Sequence, residues 1–227
     1  MTCALNGSLT SRVAIVTGGS RCVGGVTARR LGAQDYAVVV NYLHDQRAAE
    51  LTVEAILDGH GDAMAVRADA ADDLDVQRLF AETIAAFGGV DVVVHTVGGH
   101  LTATSVTKAD PDEFDALVRL NTRATFVVNR EAARHLRSGG AIVNLSSSAE
   151  GPSLRTHGLY AATRAMTNML TQAFALELRE RDITVNAVSP AVHGPCLPDR
   201  VADVIAYLLS DHGHRLTGQI LRVGGAD

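Results

Sequence analysis

Short runs of almost entirely apolar residues recur along the chain, and longer stretches with helical periodicity separate them. Seven such runs are Val13–Thr17, Ala37–Asn41, Ala63–Arg67, Val90–Thr96, Ala141–Leu145, Thr184–Val188 and Ile220–Val223. A strand that is buried on both faces shows no polar alternation. The runs therefore predict the strands of a parallel sheet.

The stretches between the runs predict helices. After the third run, apolar residues recur at helical spacing at Val76, Leu79, Phe80, Thr83, Ile84 and Phe87. Asp110 followed by Pro111 and Glu113 is typical of a helix start, with a capping carboxylate, a proline in the first turn and a glutamate able to close a capping box. Strands and helices alternate without a linker or repeat. This pattern predicts one α/β domain over residues 1–227, a doubly wound Rossmann fold with a seven-stranded parallel sheet and helices on both faces.

Composition limits the classes of function. With 227 residues, 47% of them hydrophobic, the chain can bury one sizeable core. It has no apolar run near the roughly 20 residues of a membrane span and no apolar leader, so we expect a cytoplasmic protein without membrane contact. Its three cysteines are far apart, which favours reduced thiols and no metal site. A net charge of −5 and the lack of tryptophan argue against nucleic acid as a partner.

A glycine-rich loop follows the first predicted strand and precedes a helix, in the order Thr17-Gly18-Gly19-Ser20-Arg21-Cys22-Val23-Gly24-Gly25. Such a loop presents backbone N–H groups and the positive end of a helix to a pyrophosphate, although glycine also permits an ordinary tight turn. The second strand ends at Asn41 without a carboxylate for a ribose 2′-hydroxyl, and Arg21 supplies a cation that suits a 2′-phosphate. We therefore expect NADP(H) to be preferred over NAD(H). A solvated Arg21 and an Asn41 that caps the strand end remain the alternatives.

A serine, a tyrosine and an arginine further along the chain have a recognisable spacing. Ser147 lies thirteen residues before Tyr160, and Arg164 lies four residues after it. This spacing resembles the active site of the short-chain dehydrogenase/reductase family, whose pattern ends Tyr-x-x-x-Lys. The resemblance extends from about residue 11 to residue 225 and includes Asn121 in the segment LNTRATF.

The resemblance implies four catalytic residues. Tyr160 would give or take the carbonyl proton, Ser147 would steady the same oxygen, Asn121 would anchor a helix and a water, and Arg164 would take the place of the lysine. Capping of the strand end by the three consecutive serines is the alternative for Ser147. Arginine supplies the positive charge of the lysine but does not readily pass a proton.

The resemblance also implies a set of cofactor-binding residues, two of which depart from the family pattern. Cys22 stands where the pattern has glycine, and Arg164 stands where it has lysine. The mobile substrate lid expected after Pro190 is nearly absent, which predicts an open site for a bulky or carrier-tethered carbonyl or alcohol substrate. The full set is Gly18, Ser20, Arg21, Cys22, Val23, Gly24, Asn41, Asp69, Ala70, Thr96, Val97, Gly98, Tyr160, Arg164 and Pro190.

The sequence therefore predicts an NADP(H)-dependent oxidoreductase that interconverts a carbonyl and a secondary alcohol. One alternative is a cofactor-independent lyase resembling halohydrin dehalogenases, which share the fold and a Ser-Tyr-Arg triad but carry an aromatic residue at the position of Cys22. Another is a non-catalytic nucleotide-binding protein. By resemblance, the helices that begin near Asp110 and Leu159 pair between subunits, so we expect a homodimer or homotetramer.

Overall fold

Seven parallel strands form one sheet in the computed structural model, which describes residues 11–99, 104–147, 154–190 and 198–224. The strands are β1 (Val13–Thr17), β2 (Ala37–Tyr42), β3 (Ala63–Arg67), β4 (Val90–His95), β5 (Leu136–Leu145), β6 (Thr184–Pro190) and β7 (Ile220–Val223). Their order is β3-β2-β1-β4-β5-β6-β7, so the direction of winding reverses between β1 and β4. The carboxyl ends of strands at such a reversal form a ligand crevice. The predicted doubly wound Rossmann fold is confirmed.

Helices cover both faces of the sheet. They are α1 (Cys22–Gly32), α2 (Gln46–Asp58), α3 (Asp73–Phe87), α4 (Pro111–Leu117), α5 (Ala124–His135), α6 (Leu154–Glu177) and α7 (Pro198–Leu208). Apolar residues of α1, α2 and α7 pack on one face, and those of α3, α5 and α6 pack on the other. In β1, Ile15 belongs to the apolar core on the face covered by α3, α5 and α6. Ala14 and Val16 belong to the core on the face covered by α1, α2 and α7. Burial on both faces explains why the strands read as continuous apolar runs.

Two of the helix predictions can be compared directly with the structure. On α3, Val76, Leu79 and Phe80 are fully buried against the sheet, as the periodicity predicts. At the start of α4, the Asp110 side chain accepts a hydrogen bond from the Asp112 backbone N–H at 2.8 Å, and Pro111 occupies the first turn. Both predictions are confirmed.

The remaining differences concern the ends of elements. Strand β5 begins at Leu136, five residues before the predicted start, because Leu136 pairs with Val90 across an irregularity in the ladder. Helix α6 has a short first part from Leu154 and is interrupted at His157, whose φ of −125° is not helical, so its continuous part begins after His157, close to the predicted start near Leu159. In the described residues, no helix is both long and apolar enough to cross a membrane.

Candidate active site

The glycine loop between β1 and α1 is tightly closed. Gly18 has a φ of +67°, and a Cβ added at Gly24 would overlap the Gly18 carbonyl oxygen. Glycine is therefore required at both positions, one for its conformation and the other for the close approach of α1. Cys22 has a φ of +48°, which is unusual for a residue with a side chain, and its thiol is exposed. The loop keeps the backbone shape of a glycine pattern despite the cysteine.

A cavity of about 140 Å³ lies beside this loop, at the carboxyl ends of β1, β2 and β3. Arg119, Leu120 and Ala124 close it from the side of α5. The structure thus brings together six of the predicted cofactor-binding residues, which are distant in sequence. They are Gly18, Ser20, Asn41, Asp69, Ala70 and Val97.

Two of these side chains are engaged within the protein. Asn41 is 1% exposed, and its amide donates to the Ala68 carbonyl at 2.9 Å while its oxygen accepts from the Gly18 N–H at 3.4 Å. Asn41 therefore ties the end of β2 to the glycine loop, as the strand-end alternative predicts. Asp69 accepts from the Arg119 guanidinium at 2.7 Å, an ion pair that the sequence reasoning missed.

The structure corrects the expectation that no carboxylate opposes Arg21. The Arg21 guanidinium lies 2.9 Å from a carboxylate oxygen of Asp45. Asp45 lies beyond the end of β2, and it returns toward the loop because it caps α2, where its other oxygen accepts from the Ala48 N–H at 2.9 Å. The sequence does not reveal this carboxylate, because Asp45 lies beyond the end of the strand and returns to the loop only in the folded structure.

Three other predicted residues lie outside the cavity lining. The Val23 side chain is buried in the core between α1 and the sheet. The Thr96 hydroxyl donates to the Thr17 carbonyl at 2.6 Å, so it holds the turn after β4 against the end of β1. Pro190 ends β6 and pairs in register with Val223.

The predicted catalytic tyrosine and arginine lie together on α6. Arg164 is only 3% exposed, and its guanidinium carbon is 5.3 Å from the centroid of the Tyr160 ring. One guanidinium nitrogen donates to the Leu145 carbonyl at 3.1 Å, just before Ser147, which is half-buried. A Cβ at Gly98 would overlap another guanidinium nitrogen. The cation therefore bridges the carboxyl ends of β4 and β5 beneath the tyrosine.

Asn121 joins these parts. It is buried in a π-helical turn, Val118–Arg123, that links α4 to α5. Its oxygen accepts from the Gly99 N–H at 2.9 Å, and its amide donates to the Gly99 carbonyl at 2.9 Å and to the Thr163 hydroxyl at 3.0 Å. A π turn inside a helix often occurs at a functional site. Asn121 thus fixes the turn after β4 relative to the helix that carries Tyr160.

A row of threonines continues this contact along α6. Thr163, Thr167 and Thr171 occur at intervals of four residues, and each is almost completely buried. Thr167 lies 3.4 Å from the Thr125 hydroxyl of α5, and Thr171 accepts from the Asn144 amide of β5 at 3.0 Å. We call Thr163, Thr167 and Thr171 the threonine row.

His95 is a buried polar residue at the end of β4 that the sequence analysis does not select as a site residue. Its Nδ1 lies 2.8 Å from the Thr17 hydroxyl. Burial, and then the positive charge of Arg164, lowers the pKa of His95 to about 3. The imidazole is therefore neutral at physiological pH, and it adds no second positive charge beside Arg164. A polar residue at the end of an otherwise apolar strand is the signal that could have identified it.

Two features of the sequence analysis lie outside the described residues: the shortened lid, which falls on residues 191–197, and Ser148, the last of the three consecutive serines. Across the parts that the structure describes, no group of three or more metal-ligating side chains occurs.

Comparison with known proteins gives consistent matches over most of the chain. The family model for short chain dehydrogenase matches residues 12–197. Versicolorin reductase 1 of Aspergillus parasiticus is 34% identical over 260 residues, covering 97% of each protein. Tetrahydroxynaphthalene reductase of Pyricularia oryzae is 29% identical, covering 96% of this chain and 90% of that protein.

Solved structures give the same result. A short chain dehydrogenase from Burkholderia cenocepacia J2315, in complex with NADP, superimposes with a TM-score of 0.88 at 32% identity, covering 97% of this chain and 99% of that one. A short-chain dehydrogenase/reductase from Serratia marcescens also has a TM-score of 0.88, at 29% identity and with 96% of this chain covered.

Proposed function

Because the chain belongs to the short chain dehydrogenase family, we propose that it is an NADP(H)-dependent oxidoreductase that interconverts a carbonyl group and a secondary alcohol. The observation that carries the proposal is the position of Arg164, which is buried against the ring of Tyr160 and contacts the carboxyl ends of β4 and β5 at Gly98 and Leu145. Relatives named as reductases, and a neighbour solved with NADP, support it.

The residues of the glycine loop fit a dinucleotide. The absence of a side chain at Gly24 lets α1 approach the loop, and the N–H groups at the start of α1 can then face a pyrophosphate. Cys22 does not line the cavity, and its exposed thiol leaves the space beside Ser20 and Asp69 free for the adenosine. When bound, the nicotinamide supplies or accepts a hydride.

The proposed proton chemistry depends on three side chains. In the reducing direction, the Tyr160 hydroxyl gives its proton to the carbonyl oxygen, and the Ser147 hydroxyl donates a hydrogen bond to the same oxygen. The buried positive charge of Arg164 stabilises the phenolate that remains. Because a guanidinium keeps its proton, Arg164 acts electrostatically and does not carry the proton onward.

The preference for NADP(H) depends on the pair of Arg21 and Asp45. Its side chains are 63% and 33% exposed, and exposed pairs of this kind contribute little energy. A doubly charged 2′-phosphate can therefore compete with the single carboxylate for the guanidinium.

Titration calorimetry should show tighter binding of NADPH than of NADH. Arg21→Ala should remove most of the difference, whereas Asp45→Asn, which preserves a capping residue, should increase it. Equal dissociation constants in the parent protein would contradict this role of Arg21.

The reaction itself is tested with a panel of carbonyl compounds and NADPH, by following nucleotide oxidation. Tyr160→Phe should abolish reduction without unfolding the protein, and Tyr207→Phe, at an exposed position of α7, is the matched control. Reduction by the Tyr160→Phe variant at the parent rate would refute the mechanism. Turnover of halohydrins without nucleotide would instead favour the lyase alternative.

We also propose a homodimer or homotetramer that acts on small-molecule or carrier-tethered substrates in the cytoplasm. Large apolar side chains are exposed on α5 and α6, among them Phe126 at 41%, Met166 at 50% and Met169 at 63%. Exposed apolar residues that cluster in this way often form an interface. A monomer by light scattering at micromolar concentration would contradict the assembly.

A further inference from the structure

An open cleft lies at the opposite end of the sheet from the nucleotide cavity, where β6 and β7 begin. Its volume is about 720 Å³, and it lies between the end of α6, the start of β6 and the segment that precedes β7. Ala175, Leu176 and Ile183 provide an apolar wall. Ligand sites commonly have this size and combine an apolar surface with a few polar groups. We call this space the amino-end cleft.

The amino-end cleft carries an excess of positive charge. Arg179 and Arg215 line it, and neither side chain has a hydrogen-bond or ion-pair partner among the described residues. Asp182 is the one carboxylate in the lining, and it lies 3.3 Å from Nε2 of His214. Two guanidinium groups therefore remain available to a ligand.

A buried hydroxyl lies at the same place. Thr184 lines the cleft and is 5% exposed, and its Oγ1 has no hydrogen-bond partner in the described structure. The neighbouring Thr217 differs, because its hydroxyl accepts from the Val185 N–H at 3.1 Å. Buried hydroxyl groups are normally hydrogen-bonded, so an unpaired one beside two free cations points to a ligand.

A comparison within the molecule shows that size alone does not produce this arrangement. A second open cleft, of about 630 Å³, lies between α3 and α5 and also contains an arginine. There, Arg134 and His135 each lie 3.0 Å from the carboxylate of Glu131. The arginine of that cleft is paired internally, unlike those of the amino-end cleft.

We propose that the amino-end cleft binds an organic anion that has an apolar body and one oxyanion head, at a site separate from the nucleotide cavity. The planar guanidinium groups of Arg179 and Arg215 match the geometry of a carboxylate or phosphate. The wall of Ala175, Leu176 and Ile183 contacts the apolar body. The proposal does not depend on the catalytic assignment, so binding is expected in the Tyr160→Phe variant as well.

Calorimetry on the intact protein with sodium octanoate and octyl phosphate tests the proposal and distinguishes the two head groups. Octanoate and octyl phosphate should both bind more tightly than 1-octanol, which lacks the charge. They should also bind more tightly than acetate, which lacks the apolar body. Arg179→Gln and Arg215→Gln should each weaken binding roughly tenfold, the effect of losing one charge-assisted contact. Arg134→Gln, in the comparison cleft, is the matched control and should leave the affinity unchanged.

Three results would overturn the proposal. The first is binding of octanol as tight as that of octanoate, which would make the site simply apolar. The second is parent affinity in both glutamine variants. The third is failure of both anions to bind; a change of oligomer mass by light scattering in both glutamine variants would then assign the cleft to contact with a second copy of the chain.

Discussion

Replacement of Arg164 separates an electrostatic role of this residue from a purely structural one. The guanidinium carbon lies 5.3 Å from the centre of the Tyr160 ring, and the side chain is 3% exposed. With the ring centre taken as the position of the phenolate charge and an effective dielectric constant of about 20, the attraction between the cation and the phenolate is about 3 kcal/mol. Removal of the charge in Arg164→Met should therefore lower kcat by roughly 200-fold. Arg164→Lys keeps the charge and should retain or raise the activity.

The assay is NADPH-dependent reduction of a carbonyl substrate at saturating concentration, with thermal unfolding measured in parallel. Arg164→Met removes the hydrogen bond to the Leu145 carbonyl as well as the charge, so the rates are compared only if the variant unfolds cooperatively. Arg47→Met, at an exposed position on α2, is the matched control and should have the parent rate. A folded Arg164→Met variant within threefold of the parent rate would refute the electrostatic role. Severe loss in the lysine variant, with lyase activity in the parent, would show that the arginine geometry is required.

Two further substitutions test local features of the fold. Cys22→Gly should raise the free energy of unfolding by about 0.5–1 kcal/mol, because relief of the positive φ of +48° exceeds the entropy cost of glycine. Cys22→Ala is the control. A glycine variant that is less stable than the alanine variant would be inconsistent with strain at this position. Because the pKa of His95 falls from 6.5 to about 3 on folding, the unfolded chain binds the proton first as the pH drops. The parent should lose about 2–3 kcal/mol of stability between pH 6.5 and about pH 4.5 through this residue, and His95→Asn should lose that much less. His212→Asn, at an exposed position, should behave like the parent, and identical pH profiles for the parent and His95→Asn would contradict the assignment.

The sequence was most informative where one residue type answers one physical requirement. Continuous apolar runs identify strands with two buried faces. Gly18 is needed for its positive φ, and Gly24 is needed because the Gly18 backbone passes close by. It was least informative where a polar side chain meets a partner that is remote in the chain. Asp45 meets Arg21 because it caps α2, and Arg119 meets Asp69 across fifty residues. Neither contact leaves a periodic signal, since each depends on where two segments that are distant in the chain meet in the fold.

The threonine row of α6 has a consequence for how accurately the reacting groups are placed. A helix that packs only through aliphatic side chains can slide or rotate slightly at little cost, because dispersion contacts are non-directional. The hydrogen bonds that the Asn121 amide donates to Thr163 and the Asn144 amide donates to Thr171 are satisfied at one axial position only. These contacts set the height of Tyr160 above the sheet. An insertion of one residue between Tyr160 and Thr171 would turn the tyrosine by about 100° relative to Thr171. The length of this segment therefore constrains the site as strictly as its composition does.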